Sequence, residues 1–171
     1  FRLSASGIST DGISKADEAN GNGEEDGYDS TTLSAKGGLN LPAEARLEAT
    51  LLWNDAESEY DSYSGGAQGS VADGDERTQN ETLSGNVSLK VPLFDDRFEN
   101  LLMVGYSDIT RENFTNGTQS YFAEGDRQIY RYQGTFTVND MNKLAFGAER
   151  EETTANDAES SIDGLFGLYE F

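Results

Sequence analysis

The chain has 171 residues, a formal net charge of −20 and a pI near 4.1, a balance that excludes nucleic acid as a partner because too little positive charge is present to neutralise a phosphate backbone. With 35% hydrophobic residues, a mean hydropathy of −0.65 and no apolar run near the roughly 20 residues that a spanning helix needs, a helical membrane protein is excluded as well. His and Cys are both absent, which removes the commonest catalytic base, the thiol nucleophile and the usual zinc ligands.

Phe1, Leu3 and Ala5 alternate with Arg2, Ser4 and Ser6 up to a break at Asp11-Gly12, which reads as a strand followed by a long loop to about Tyr28. Leu33, Ala35, Gly37, Leu39 and Leu41 then oppose Ser34, Lys36, Gly38 and Asn40, and Pro42-Ala43-Glu44-Ala45 makes a short turn. Leu47, Ala49, Leu51 and Trp53 oppose Glu48, Thr50 and Asn54 as far as Tyr60-Asp61, where a second long loop is expected to run to about Thr82. Leu83, Gly85, Val87, Leu89 and Val91 continue the alternation, with Pro92 tolerated at the strand end, into a turn at Phe94-Asp95-Asp96-Arg97. Leu102, Val104 and Tyr106 lead to a third polar loop expected over Asn113 to Asp126. Tyr130, Tyr132, Phe136 and Val138 return to a turn at Asn139-Asp140-Met141-Asn142, and Leu144, Phe146 and Ala148 rise to a fourth loop through Asn156-Asp157-Ala158-Glu159. Ile162 to Phe171 form the last run, making about eight strands.

Arg131 and Lys90 fall between apolar neighbours, so one face of these strands meets water while the other meets something apolar. Short turns on one side and long loops on the other are the pattern of a transmembrane β-barrel, and a soluble sandwich gives no reason for such a parity. Trp53, Tyr60, Tyr106, Phe114, Tyr28 and Tyr130 sit near the ends of runs, as interfacial aromatics do. The expected fold is therefore all-β, a single antiparallel up-and-down transmembrane β-barrel unit over residues 1–171. The chain opens inside a strand with no signal peptide, as a piece of a longer protein would.

Acidic residues concentrate in the long loops, at Asp17, Glu18, Glu24, Glu25 and Asp26 and again at Glu57, Glu59, Asp61, Asp73, Asp75 and Glu76. They serve either as solvated surface charge or as oxygen ligands for divalent ions. Asp95-Asp96 and Glu151-Glu152 make no acid/base pair, because adjacent strand residues point to opposite faces, and no enzymatic activity is expected. Asn80, Asn113 and Asn116 begin Asn-x-Thr triplets that read as loop composition.

Several segments carry a family resemblance: Thr10-Asp11-Gly12-Ile13, Glu24-Glu25-Asp26-Gly27-Tyr28 followed by Thr32-Leu33-Ser34-Ala35, Asp55-Ala56-Glu57-Ser58-Glu59-Tyr60-Asp61, Tyr106-Ser107-Asp108 and Phe146-Gly147-Ala148-Glu149. In order and spacing they resemble TonB-dependent outer-membrane receptors of the cobalamin-transporter branch. The resemblance implies a segment of a larger barrel of about 22 strands in the bacterial outer membrane, taking up a scarce metal chelate such as cobalamin or a ferric siderophore. The plug domain and TonB box of such receptors are absent from this sequence, so contact with the TonB complex would lie in a plug region outside it. The same resemblance maps a calcium site in the extracellular loops onto Asp11, Asp26, Tyr60, Asp61 and Asp75, with Glu24 where an aspartate is usual. Two alternatives stay open: a complete eight-stranded outer-membrane barrel whose loops act in adhesion, and a secreted calcium-binding β-sandwich.

Overall fold

The computed structural model describes residues 1–13, 23, 25–63 and 71–171, and for residues 62, 63 and 71–73 the backbone alone. The eight strands are β1 (Arg2–Thr10), β2 (Tyr28–Asn40), β3 (Arg46–Tyr63), β4 (Val71–Leu93), β5 (Phe98–Thr115), β6 (Thr118–Asn139), β7 (Asn142–Ala155) and β8 (Ala158–Glu170). They form one sheet in the order of the chain, every neighbouring pair antiparallel. Tertiary contacts among the described residues run only between sequential strands. Among the described residues there is no second layer, which the sandwich alternative would need, and β1 and β8 are not paired, so the sheet is open.

A single open layer has no interior. Among the described residues Ala45 is the only buried hydrophobic side chain and none is fully buried, while Leu51, Val104 and Leu102 stand 52%, 52% and 47% exposed. Register sorts these residues by chemistry, because directly paired residues share a face. One row reads Gly37, Ala49, Val87, Val104, Tyr130, and the next Leu39, Leu47, Leu89, Leu102, Tyr132. The opposite face reads Lys36, Thr50, Asn86 and Gly38, Glu48, Ser88 over the same strands. At about 4.8 Å per strand spacing and 3.3 Å per residue, the apolar face from β2 to β7 covers roughly 600–800 Å². That exceeds the roughly 300–600 Å² of the largest apolar patch on a typical soluble monomer.

The three short connections fall where the sequence places them. Leu41 N–H bonds the Ala45 carbonyl at 2.7 Å across a turn whose Ala43 and Glu44 have φ near +57°. Phe94, Asp95 and Asp96 are all left-handed, φ 54° to 63°, and Arg97 N–H closes on the Phe94 carbonyl. In the third, Asn139 Oδ1 accepts from Met141 N and Asn142 Nδ2, an Asx-type closure.

On the opposite side three expectations need correction. The stretch from Asn113 to Asp126 is not a loop: β5 and β6 run on to a two-residue Asn116-Gly117 turn, both residues left-handed, which matches strand twist as a type I′ hairpin. The fourth connection is likewise two residues, Asn156-Asp157. The second spans only residues 64–70, because β3 reaches Tyr63 and β4 begins at Val71. The strands continue past the apolar zone with polar residues on both faces, so they carry no alternation for a sequence pattern to reveal.

Both limits of the apolar zone step across the sheet. Arg46, where β3 begins, pairs with Lys90, but β4 continues three residues to Leu93; Leu93 pairs through Phe98 with Phe136, and β6 continues three more to Asn139. At the other limit the last apolar residue is Leu83 on β4 and Leu165 on β8, six residues beyond Glu159, the β8 position that shares Leu83's row. Each hairpin is thus offset by about three residues, and the apolar band runs obliquely to the hydrogen-bond rows.

Glycines let rings lie flat on the sheet. A Cβ at Gly147 would stand 2.3 Å from the Tyr132 carbonyl oxygen and 2.5 Å from the Phe166 ring, so Gly147→Ala is expected to destabilise the folded protein by about 1–3 kcal/mol. Gly37→Ala, with open space around its Cβ position, should be near neutral. Unfolding midpoints of the two variants in urea provide the check.

Candidate functional site

The sheet offers three zones: an apolar band on one face, a charged wall on the other, and an acidic rim where the strands overshoot the band. Along the wall, Arg127 pairs with Glu151, Arg131 with Glu149, and Lys90 with Glu99, while Arg46 contacts Glu48 at 2.8 Å. Eight of the chain's 12 Lys and Arg residues lie on this face, although the chain as a whole is strongly acidic. Each half-exposed pair contributes about 0–1 kcal/mol. What the ladder provides is a wetted surface whose charges are matched across strands.

The band is bounded by aromatics whose polar atoms turn outward. At its upper limit Trp53 Nε1 donates to Glu81 Oε1 at 2.9 Å, Tyr106 Oη to Asp108 Oδ2 at 3.4 Å and Tyr130 Oη to Gln128 Oε1 at 2.8 Å. Near the short turns Tyr132 Oη donates to Asn100 Oδ1 at 2.8 Å, and beside Gly134 the Phe98 ring centroid stands 6.1 Å from those of both Phe136 and Phe146. Of the aromatics singled out from the sequence, Trp53, Tyr106 and Tyr130 cap the apolar face, whereas Tyr28 and Tyr60 lie on the charged face. The lower ring cluster was not recognised as a unit, because its members come from three strands whose register is unknown beforehand.

The residues mapped as calcium ligands gather on the rim of β1 to β4. Asp11 is exposed at the end of β1, and Asp26 is half-buried at the entry to β2. Tyr60 and Asp61 are half-buried in β3, Asp75 is exposed in β4, and Glu24 lies outside the described residues. Gly12, φ +73°, the neighbour of Asp11, packs so closely on the Asp26 backbone that a Cβ there would stand 1.8 Å from the Asp26 carbonyl oxygen. Tyr60 pairs with Glu76, whose Oε2 is buried, and the Asp75 carbonyl accepts the Asn116 N–H at 2.8 Å. From β1 to β4 the set spans three strand spacings, about 14 Å, and among the described residues no group of three or more Asp or Glu side chains is close enough to hold a metal ion.

Glu59, read from the sequence only as one of the acidic residues of the second loop region, has a structural role that this reading missed. Its N–H donates to the Gly27 carbonyl at 2.9 Å and its Oε2 accepts the Gly27 N–H at 3.0 Å, a reciprocal clamp that fastens the stem of the first loop to β3. Next to it Arg77 reaches Glu57 at 3.6 Å and lies 4.7 Å above the Phe114 ring, a cation–π contact that ties β4 to β5.

The chain matches no protein-family model, no curated protein and no solved structure at a significant level.

Replacing Glu59 with Ala removes the acceptor of the Gly27 N–H, so hydrogen exchange of that amide is expected to accelerate about two- to tenfold. Amides in the Asn139–Asn142 turn should be unchanged.

Proposed function

We propose that this sheet is part of the wall of an outer-membrane β-barrel, its apolar face turned to lipid and its charged face to an aqueous lumen. The observation that carries the reading is a coreless single layer with faces of opposite chemistry. Water satisfies one face, and the other needs a medium as apolar as itself. On β4 and β5 the band runs from Leu83 to Leu93 and from Phe98 to Tyr106, about 33 and 26 Å along the strand, or about 20–25 Å across a membrane at a tilt near 40°, close to the apolar belt of such barrels. The offset of about 1.5 residues per strand corresponds to a tilt near 45°, which supports the same assignment.

The finer reading is a segment of a TonB-dependent receptor that takes up a scarce metal chelate, cobalamin or a ferric siderophore. It rests on the resemblance of Thr10-Asp11-Gly12-Ile13, Asp55 to Asp61 and Phe146 to Glu149. The unpaired edges of β1 and β8 favour a wider wall over a self-closed eight-stranded barrel, since open edges expose backbone groups that a membrane does not tolerate. On this reading the ladder of ion pairs lines the lumen. Asp11, Asp26, Asp61 and Asp75 belong to the extracellular rim, where they would help hold calcium or ligand.

Val87 and Ser88 are neighbours on opposite faces of β4. Val87→Arg is expected to reduce the stability of the lipid-inserted protein by about 2–4 kcal/mol, with Ser88→Arg within about 1 kcal/mol of the parent, both read by urea unfolding from vesicles. Equal effects would overturn the assignment of the faces. The transport reading is tested separately: cells relying on the intact receptor should lose uptake of labelled cobalamin or siderophore when the gene is deleted.

A further inference from the structure

We infer that the upper edge of β6, from Thr118 to Ala123, receives an extended cationic peptide as an added strand. The inference concerns the strands beyond the apolar band and does not depend on the medium that covers that band.

β7 accompanies β6 only as far as Gly125, which pairs with Ala155. Asn156 then ends the ladder: its N–H donates to the Glu124 carbonyl at 2.8 Å, and its Oδ1 accepts the Glu124 N–H at 3.1 Å. Beyond that point β6 keeps β5 on one side up to Thr118, while its other side has no strand among the described residues. The backbone groups of successive residues point to the two sides of a strand in turn, so Phe122, two residues from Glu124, directs its N–H and C=O to the open side. Thr118 to Phe122 are all exposed, Tyr121 by 51% and Phe122 by 47%.

Open sheet edges in natural proteins are blunted by charge, by Pro or by covering elements. Here Asn113 to Ala123 contain no charged residue and no Pro, in a chain that is 26% charged, and only a register shift between Asn113 and Phe114 interrupts the pairing near the tip. What satisfies a free backbone rung is another backbone, and Tyr121 and Phe122, on opposite faces, form no common platform for a flat ligand. Charge selects the peptide. On the Phe122 face Glu112 lies directly opposite, and the rows below carry Glu124, then Asp126 and Glu159. The nearby cations are taken: Arg111, beside Ala123 on the other face, donates to Asn113 Oδ1 at 3.2 Å, and Arg77 is held by Glu57 and the Phe114 ring. A second copy of this chain, with a net charge of −20, would bring like charges edge to edge, whereas a cationic segment brings their complement.

The test titrates two capped peptides against the full-length protein in neutral detergent micelles, each a short valine and threonine run with two lysines at either end. One has ordinary amides, and the other is N-methylated at alternate residues, which keeps the charge and removes the N–H groups that pair with an edge. The ordinary peptide is expected to bind about tenfold more tightly than its N-methylated twin and to slow hydrogen exchange of the Phe122 amide about tenfold. Phe122→Pro, which removes the N–H of the open rung, should abolish the difference between the two peptides, and Phe122→Ala, which keeps that rung, should retain it. Equal binding of the two peptides would reduce the effect to charge attraction and overturn the inference, as would no binding at millimolar peptide. A Phe122 amide already protected in a dimer of the protein would overturn it in favour of a second copy. Because Phe122→Pro can disturb the hairpin, the comparison of the two peptides on the unaltered protein carries the decision.

Discussion

The backbone ladder between sequential strands is the interaction on which everything else here depends. Among the described residues no second sheet or helix packs against it, and their tertiary structure consists of strand-to-strand hydrogen bonds and the side-chain pairs that ride on them. In such an arrangement stability is not stored in an interior. It depends on both faces finding a medium they suit, and the two faces differ: Leu, Val and aromatic side chains dominate one, while the other carries the Arg–Glu and Lys–Glu pairs among polar residues and a minority of apolar ones such as Leu52, Met103 and Phe166.

That dependence explains the details at the margins of the band. Trp53, Tyr106 and Tyr130 direct their polar atoms to Glu81, Asp108 and Gln128 because each stands at a change of environment, its ring in the apolar zone and its donor beyond it. Above that line alternation loses its purpose. Polar residues occupy both faces of the β5–β6 hairpin, and the hairpin holds its shape by pairing and by the left-handed Asn116-Gly117 turn rather than by burial. On the proposed reading, this is where the wall leaves the lipid.

The candidate site was legible in part. The acidic rim was visible as composition, and the order of the strands places Asp11, Asp26, Tyr60, Asp61 and Asp75 at one end of β1 to β4. The role of Glu59 was not legible, because it arises from the level at which β3 passes the stem of the first loop, a matter of register rather than of motif. The same holds for the open edge of β6 from Thr118 to Ala123, a segment that reads as loop until β6 is seen to continue where β7 ends at Ala155.

By itself the sequence determined the number of strands, the three short turns and which residues share a face, since a period of two and the turn residues at Pro42, Asp95 and Asn139 are local properties of the chain. Tertiary structure decided what depends on relative placement. It set the offset of about three residues per hairpin, the extension of β5 and β6 through segments that read as loops, and the pairing of Arg131 with Glu149. It also left β1 and β8 as open edges. Alternation specifies which way a side chain points, whereas only hydrogen-bond register between strands specifies what it points beside.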